Sequence, residues 1–123
     1  MKLPIYSKAH YDRVGYTGIM MCFLITYVVR PQLSIELPVF VIVMGSSVSF
    51  FATVAAIFLL LSHYNQRGNI VSALFIVFGC MLYECVQPYL GLGVFDIFDL
   101  TAIAIAGFIS MLGISLAVSD VEP

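Results

Sequence analysis

Residues 37–62 contain no charged side chain, and this uninterrupted apolar stretch limits what the chain can fold into more than any other feature. A helix needs about 20 such residues to cross a bilayer. The rest of the chain is similar, since 62% of its residues are hydrophobic, 10% are charged and the mean hydropathy is +1.08. A soluble domain of 123 residues cannot enclose that much apolar surface in one core. The sequence therefore predicts an integral membrane protein.

Three further weakly charged stretches predict an all-α bundle of four transmembrane helices. The first stretch is the shortest, and Arg13 and Arg30 must extend their side chains to the interfaces for it to span. Pro31 favours a helix end before it, and Pro38 suits the first position of the next helix. The predicted spans are about 14–30, 38–62, 70–88 and 99–119.

Positive charge predicts the orientation, because cytoplasmic loops carry an excess of Lys and Arg. We expect a cytoplasmic lead at 1–13, a transmembrane domain at 14–119 and a cytoplasmic tail at 120–123. Arg30 is alone on the opposite side, where the first and third loops face outwards. The cations of the cytoplasmic side are Lys2, Lys8, Arg13 and Arg67.

The sequence also predicts where the tyrosines of the lead and the three cysteines lie. Tyr6 and Tyr11 of the lead suit the headgroup level, where interfacial aromatic residues are common. Cys22, Cys80 and Cys85 lie within apolar stretches, so we expect them to be buried as small packing residues.

Composition and motifs argue against several classes of function. The net charge of −2 and the lack of a basic patch give no reason to expect nucleic acid as a partner. No HExxH, GxSxG, phosphate-loop or CxxC pattern occurs. We therefore expect no metal, no cofactor and no catalytic residues, and membrane lipid as the surrounding partner.

The scarce carboxylates are concentrated where the third predicted helix turns into the fourth. Glu84 and Gln87 share one helix face, and an ionisable residue within a span is a candidate functional residue. Asp96 and Asp99 begin the fourth helix, where carboxylates also serve as caps. Glu84 near a helix end has a simpler alternative, which is to reach headgroup water. The candidate ligand-binding set is Glu84, Gln87, Asp96, Asp99 and Arg30.

Small residues recur at helical spacing on two predicted helices and indicate faces on which another helix approaches closely. The second helix carries Gly45, Ser49, Ala52 and Ala56, and the fourth carries Ala102, Ala106 and Ser110.

We call the segment that carries Glu84, Gln87, Asp96 and Asp99 the acidic hinge. The spacing of these residues resembles that of the VanZ-like family of small bacterial membrane proteins. The resemblance covers residues 67–113 and rests on Glu84, Gln87, Phe95, Asp96 and Asp99, with Ala106 or Gly107 about two turns later. The chain departs from the family pattern at Gly93, where an arginine is usual, at Ile103, where an asparagine is usual, and at 36–38, which lacks the polar opening of the second span. The resemblance implies a bacterial cytoplasmic membrane and an envelope role linked to glycopeptide resistance.

Two functions follow as hypotheses. The first is a non-enzymatic binding protein whose outward acidic hinge holds an envelope ligand or a lipid headgroup. The alternative is an accessory subunit of a larger membrane complex, or a homo-oligomer, that docks through its small-residue faces. Catalysis with Glu84 as a general base is disfavoured, because His10 and His63 lie on the other side of the membrane in the predicted topology.

Overall fold

The computed structural model describes residues 8–29, 38–64, 69–91 and 97–121, and every regular element in these ranges is helical. Helix α1 is Lys8–Leu24 and continues as a π-helical turn, Ile25–Val29. Helices α2, α3 and α4 are Pro38–His63, Ile70–Val86 and Ile97–Val121, and a 3-10 turn, Gln87–Leu90, extends α3. The predicted all-α class is confirmed.

Local sequence explains where α3 starts and stops. Asn69 caps its first turn, with the side-chain oxygen accepting the Ser72 backbone N–H at 3.2 Å. Gly91 closes the following 3-10 turn in the left-handed region, with φ of 71°. The resulting helix bounds lie within about two residues of the predicted span.

Among the residues that the structure describes, three helices are long and apolar enough to cross a membrane, at Gly45–His63, Ile70–Leu90 and Ile97–Leu116. Helix α1 is not among them. Its α-helical part has 17 residues and includes Lys8, Asp12 and Arg13. The charged residues shorten its apolar part, and the π turn interrupts the regular helix before Val29.

Helix α2 lies at the centre of the bundle. It packs against α1 on one side and α4 on the other, while α3 packs mainly against α4 and has fewer contacts with α2. Buried apolar side chains from all four helices form the core: Tyr11, Ile57, Phe58, Leu61, Ala73, Val77, Ile103 and Ile114.

The outer surface of the bundle is apolar. Phe75 of α3 is 73% exposed, Met20 of α1 is 72% exposed and Phe108 of α4 is 66% exposed. A soluble domain does not leave so many large apolar side chains uncovered. This surface fits a hydrocarbon environment.

The N-terminal boundary differs from the prediction, because α1 begins at Lys8, inside the segment expected to be a polar lead. Tyr11, which was expected to face the headgroups, faces the interior of the bundle. Its side chain is 1% exposed and packs edge-on against Phe58, with ring centroids 5.1 Å apart. Tyr6 lies outside the described residues.

The expectation that all three cysteines are buried is also wrong. Cys85 is exposed on the outer face of α3, and Cys22 and Cys80 are partly buried. The Cys22 thiol donates to the Val48 carbonyl oxygen at 3.5 Å, a contact between α1 and α2.

Candidate functional site

Glu84 lies inside the bundle. It is in the last turn of α3, and its side chain is 5% exposed. The helical path continues past Val86, since the Gln87 backbone N–H donates to the Tyr83 carbonyl oxygen. Glu84 and Gln87 therefore stay on one face, as their spacing predicts. Of the two alternatives for Glu84, the structure shows the interior orientation.

A cavity of about 470 Å³ lies beside Glu84, between α2 and α3, and α4 contributes Ile103 to its wall. Most of the lining is apolar or small and includes Val48, Ala52, Ala56, Leu60, Ile76 and Gly79. The lining has few polar groups. Three of the polar side chains, Glu84, Gln87 and Tyr83, lie together near the C-terminal end of α3. Ligand pockets between bundle helices have this size and this balance of apolar walls with a few polar groups.

Two further polar residues of the lining belong to α2. The Thr53 hydroxyl donates to the Ser49 carbonyl oxygen at 2.8 Å, a bond within the helix. This bond satisfies the buried Thr53 hydroxyl within its own helix, and Thr53 also contacts the Cys80 side chain of α3. The middle of the cavity is consequently less polar than its residue types imply.

Asp99 lies in the first turn of α4 and is placed differently from Glu84. Its Oδ1 accepts a hydrogen bond from Ser46 Oγ of α2 at 3.4 Å. It is not among the described residues that line the Glu84 cavity. The structure thus brings Glu84 and Gln87 together and puts Asp99 at a contact between α2 and α4. Asp96 and Arg30, the other members of the predicted set, lie outside the described residues.

The two predicted small-residue faces have different surroundings. On α4, Ala102, Ala106 and Ser110 are buried within the chain. On α2, Ser49, Ala52 and Ala56 line the cavity, and a Cβ atom built at Gly45 would meet nothing within 4 Å. The α2 face therefore borders an open space, whereas the α4 face is covered.

A close contact between α1 and α2 is one that the sequence reasoning missed. Gly15 and Gly18 of α1 face α2, and a Cβ atom at Gly18 would lie 2.9 Å from the Phe51 carbonyl oxygen. Tyr11, Gly15, Gly18 and Ile25 are all buried and recur at helical spacing. That periodicity is a signal that could have identified this face of α1.

A second missed feature is a polar cluster that joins the start of α1 to the end of α2. Ser62, 1% exposed, donates to Asp12 Oδ1 at 2.6 Å and accepts from Lys8 Nζ at 3.1 Å. Lys8 also forms an ion pair with Asp12, with 3.2 Å between Nζ and Oδ2. The i,i+4 spacing of Lys8 and Asp12 is the sequence signal for that pair.

Comparisons of the chain with protein-family models, with curated proteins and with solved structures found no match. A functional proposal therefore has to rest on the geometry of the cavity and its side chains. Within the ranges that the structure describes, no group of three or more His, Cys, Asp or Glu side chains could hold a metal ion.

Proposed function

We propose that this chain is a non-enzymatic membrane protein that binds a largely apolar ligand in the cavity between α2 and α3. The observation that carries the proposal is the position of Glu84, a 5% exposed carboxyl group on the wall of a cavity of about 470 Å³. An ionisable residue inside a membrane bundle is by default a candidate functional residue. Glu84 and Gln87 supply the polar contacts of the ligand, and the apolar walls supply most of its buried area.

In this proposal α1 also lies in the bilayer, so that the chain spans it four times. Support comes from its outer face, where Tyr16, Met20 and Phe23 are exposed. Its charged first turns lie next to the C-terminal end of α2, joined to it through Ser62. Both termini are then on the cytoplasmic side, the orientation favoured by the positions of Lys and Arg.

The spacing of Glu84, Gln87 and Asp99 is the support for a VanZ-like protein of the bacterial envelope. The placement of Glu84 and Gln87 on one cavity wall is compatible with a shared ligand site in such a protein. In this proposal Asp99 holds the start of α4 against α2. The positive end of the α4 dipole stabilises its carboxylate, which accepts a hydrogen bond from Ser46.

A second candidate function is that of an accessory subunit in a larger membrane complex. The observation that favours it is the small-residue face of Ser49, Ala52 and Ala56, which is open along the cavity and could receive a helix of a partner. The α4 face does not serve this role, because Ala102, Ala106 and Ser110 are already buried within the chain.

Native mass spectrometry of the protein extracted from its own membrane tests the choice. We expect a bound small molecule on the wild type and on Cys85→Ser, a control next to Glu84 on the exposed face of α3. We expect Glu84→Gln to accumulate to the same level without that molecule. Equal retention by all three proteins would contradict the proposal, and a stoichiometric partner chain would establish the subunit function instead.

A further inference from the structure

We infer that the ligand is a membrane phospholipid with an ammonium headgroup, and that one of its acyl chains occupies the cavity between α2 and α3. This inference rests on the proposed function and specifies its ligand. Three properties of the cavity carry it: its length along the helices, the side chains of its walls and the chemistry of the end that holds Glu84.

The length of the cavity matches one leaflet of a bilayer. On α2 the lining runs from Val48 to Leu60, and on α3 it runs from Ile76 to Gln87. At about 1.5 Å of rise per residue, each of these segments is roughly 17 Å long. Half of the hydrocarbon core of a bilayer is about 15 Å thick. An acyl chain with the length that it has in a bilayer leaflet therefore reaches along the cavity from the Glu84 end to Leu60.

The two helices run antiparallel at the cavity, which defines its two ends. Leu60 and Ile76 also line a neighbouring pocket together, so the C-terminal part of α2 lies beside the N-terminal part of α3. Val48 is then at the same end as Glu84 and Gln87. The ligand enters with its polar head at this end and its apolar tail towards Leu60.

The walls suit an alkyl chain. Ala52, Ala56 and Gly79 have little or no side chain, and they leave a channel between two helix backbones. A Cβ atom at Gly79 would meet nothing within 4 Å. Val48, Leu60, Ile76 and Ile103 provide the branched apolar surface against which methylene groups pack. None of these side chains offers a hydrogen bond, and the Thr53 hydroxyl of the same lining is already bonded within α2, so a chain without polar groups suits most of the lining.

The chemistry of the head follows from the Glu84 end. Glu84 is the only charged side chain among the described residues of the lining, and it lies in the last two turns of the apolar segment Ile70–Leu90. A carboxylate attracts an ammonium group and repels a headgroup whose only charge is a phosphate. The Gln87 amide adds an acceptor and a donor at the same level. This end therefore selects an ethanolamine headgroup over a glycerol headgroup.

The test uses the full chain in bilayer discs that contain equal amounts of phosphatidylethanolamine and phosphatidylglycerol with identical acyl chains. Native mass spectrometry after mild release counts the lipids that stay bound. We expect the wild type to retain phosphatidylethanolamine with about tenfold preference, and we expect Glu84→Gln to lose that lipid down to the low level at which the wild type retains phosphatidylglycerol, with no preference left between the two. We expect Gly79→Leu, which fills the channel, to retain neither lipid. Gly113→Leu is the matched control, because a Cβ atom there also meets nothing within 4 Å and Gly113 is not in the described lining.

Other results would overturn the inference in distinguishable ways. Equal retention of both lipids by the wild type would overturn the headgroup assignment. Retention by Gly79→Leu at the level of Gly113→Leu would overturn the placement of the acyl chain. If neither lipid is retained, but a different small molecule from the native membrane is bound and is released by Glu84→Gln, the inference fails and the proposed function stands. If no small molecule is bound in either preparation, both fail.

Discussion

The glycines that face the two sides of α2, from α1 and from α3, have different surroundings. Against α1, Gly18 lies so close that a Cβ atom there would be 2.9 Å from the Phe51 carbonyl oxygen. Towards α3, a Cβ atom at Gly79 would meet nothing within 4 Å, and a cavity of about 470 Å³ separates the helices. A small residue permits close approach but does not produce it. The contacts around that residue decide whether the space is closed by a helix or left open.

The α1 side has additional contacts that hold the helices together. Tyr11 packs edge-on against Phe58, and Ser62 joins Asp12 and Lys8 through hydrogen bonds. At the α3 side, Glu84 and Gln87 face the cavity. Burial and polar contact therefore stabilise one side of α2, whereas the other side borders a cavity. The predictions below test this difference, beginning with the variant that should have the largest effect.

Gly18→Val should disrupt the tight side of α2. The new side chain collides with the backbone of Phe51 and with Ala55, and a backbone atom cannot rotate away. Overpacking of this kind costs typically about 1–3 kcal/mol, and we expect the upper end here. The free energy of unfolding, measured by denaturant titration in detergent micelles, checks it. Gly113→Val is the control in open space, and equal unfolding of the two variants would show that α1 and α2 are not in close contact at Gly18.

Ser62→Ala should weaken the same side at its polar end. The change removes the hydroxyl that donates to Asp12 and accepts from Lys8, so a buried connection between α1 and α2 is lost. The remaining Lys8–Asp12 pair is largely exposed and contributes little. We expect a loss of about 1–2 kcal/mol in the free energy of unfolding.

Ser47→Ala is the matched control for that variant. It lies on α2, and its exposed hydroxyl donates to the Val43 carbonyl oxygen of the same helix at 2.7 Å. We expect its stability to change by no more than about 0.5 kcal/mol. The polar cluster would have no stabilising role if the two serine variants unfolded at the same denaturant concentration.

The helices of the central and C-terminal parts of the chain were predictable because charge interrupts the apolar stretches only at their ends. The span predicted at 38–62 agrees with α2, Pro38–His63, and Asn69 and Gly91 flank the third helix as turn residues should. The start of α1 at Lys8 was not predicted, because the sequence places the first span only at about 14–30. Lys8, Asp12 and Arg13 were interpreted as a polar lead, although Lys8 and Asp12 pair at i,i+4 and Tyr11 shares a face with Gly15.

The candidate site was predictable in part. Scarcity of charge and a spacing of three residues identify Glu84 and Gln87 as neighbours on one helix face. The cavity itself was not predictable, because it depends on α3 packing more extensively against α4 than against α2. The contact of Asp99 with Ser46 has the same origin, since it depends on the packing of α2 against α4.

Gly79→Ala is the variant with the smallest expected effect, and it separates open space from close contact most directly. The methyl group meets nothing within 4 Å, and alanine loses less backbone entropy than glycine when a helix forms. We expect a gain of about 0.5–1 kcal/mol in the free energy of unfolding. Gly107→Ala is the comparison on α4, where the added Cβ would lie 2.6 Å from Val77 Cγ2, so the same substitution should destabilise. If the free energy of unfolding rises for Gly79→Ala and falls for Gly107→Ala in the same denaturant titration, α3 is tightly packed on its α4 side and open at Gly79. A loss of stability for Gly79→Ala would mean that α2 and α3 close over the cavity, and it would remove the space that the ligand requires.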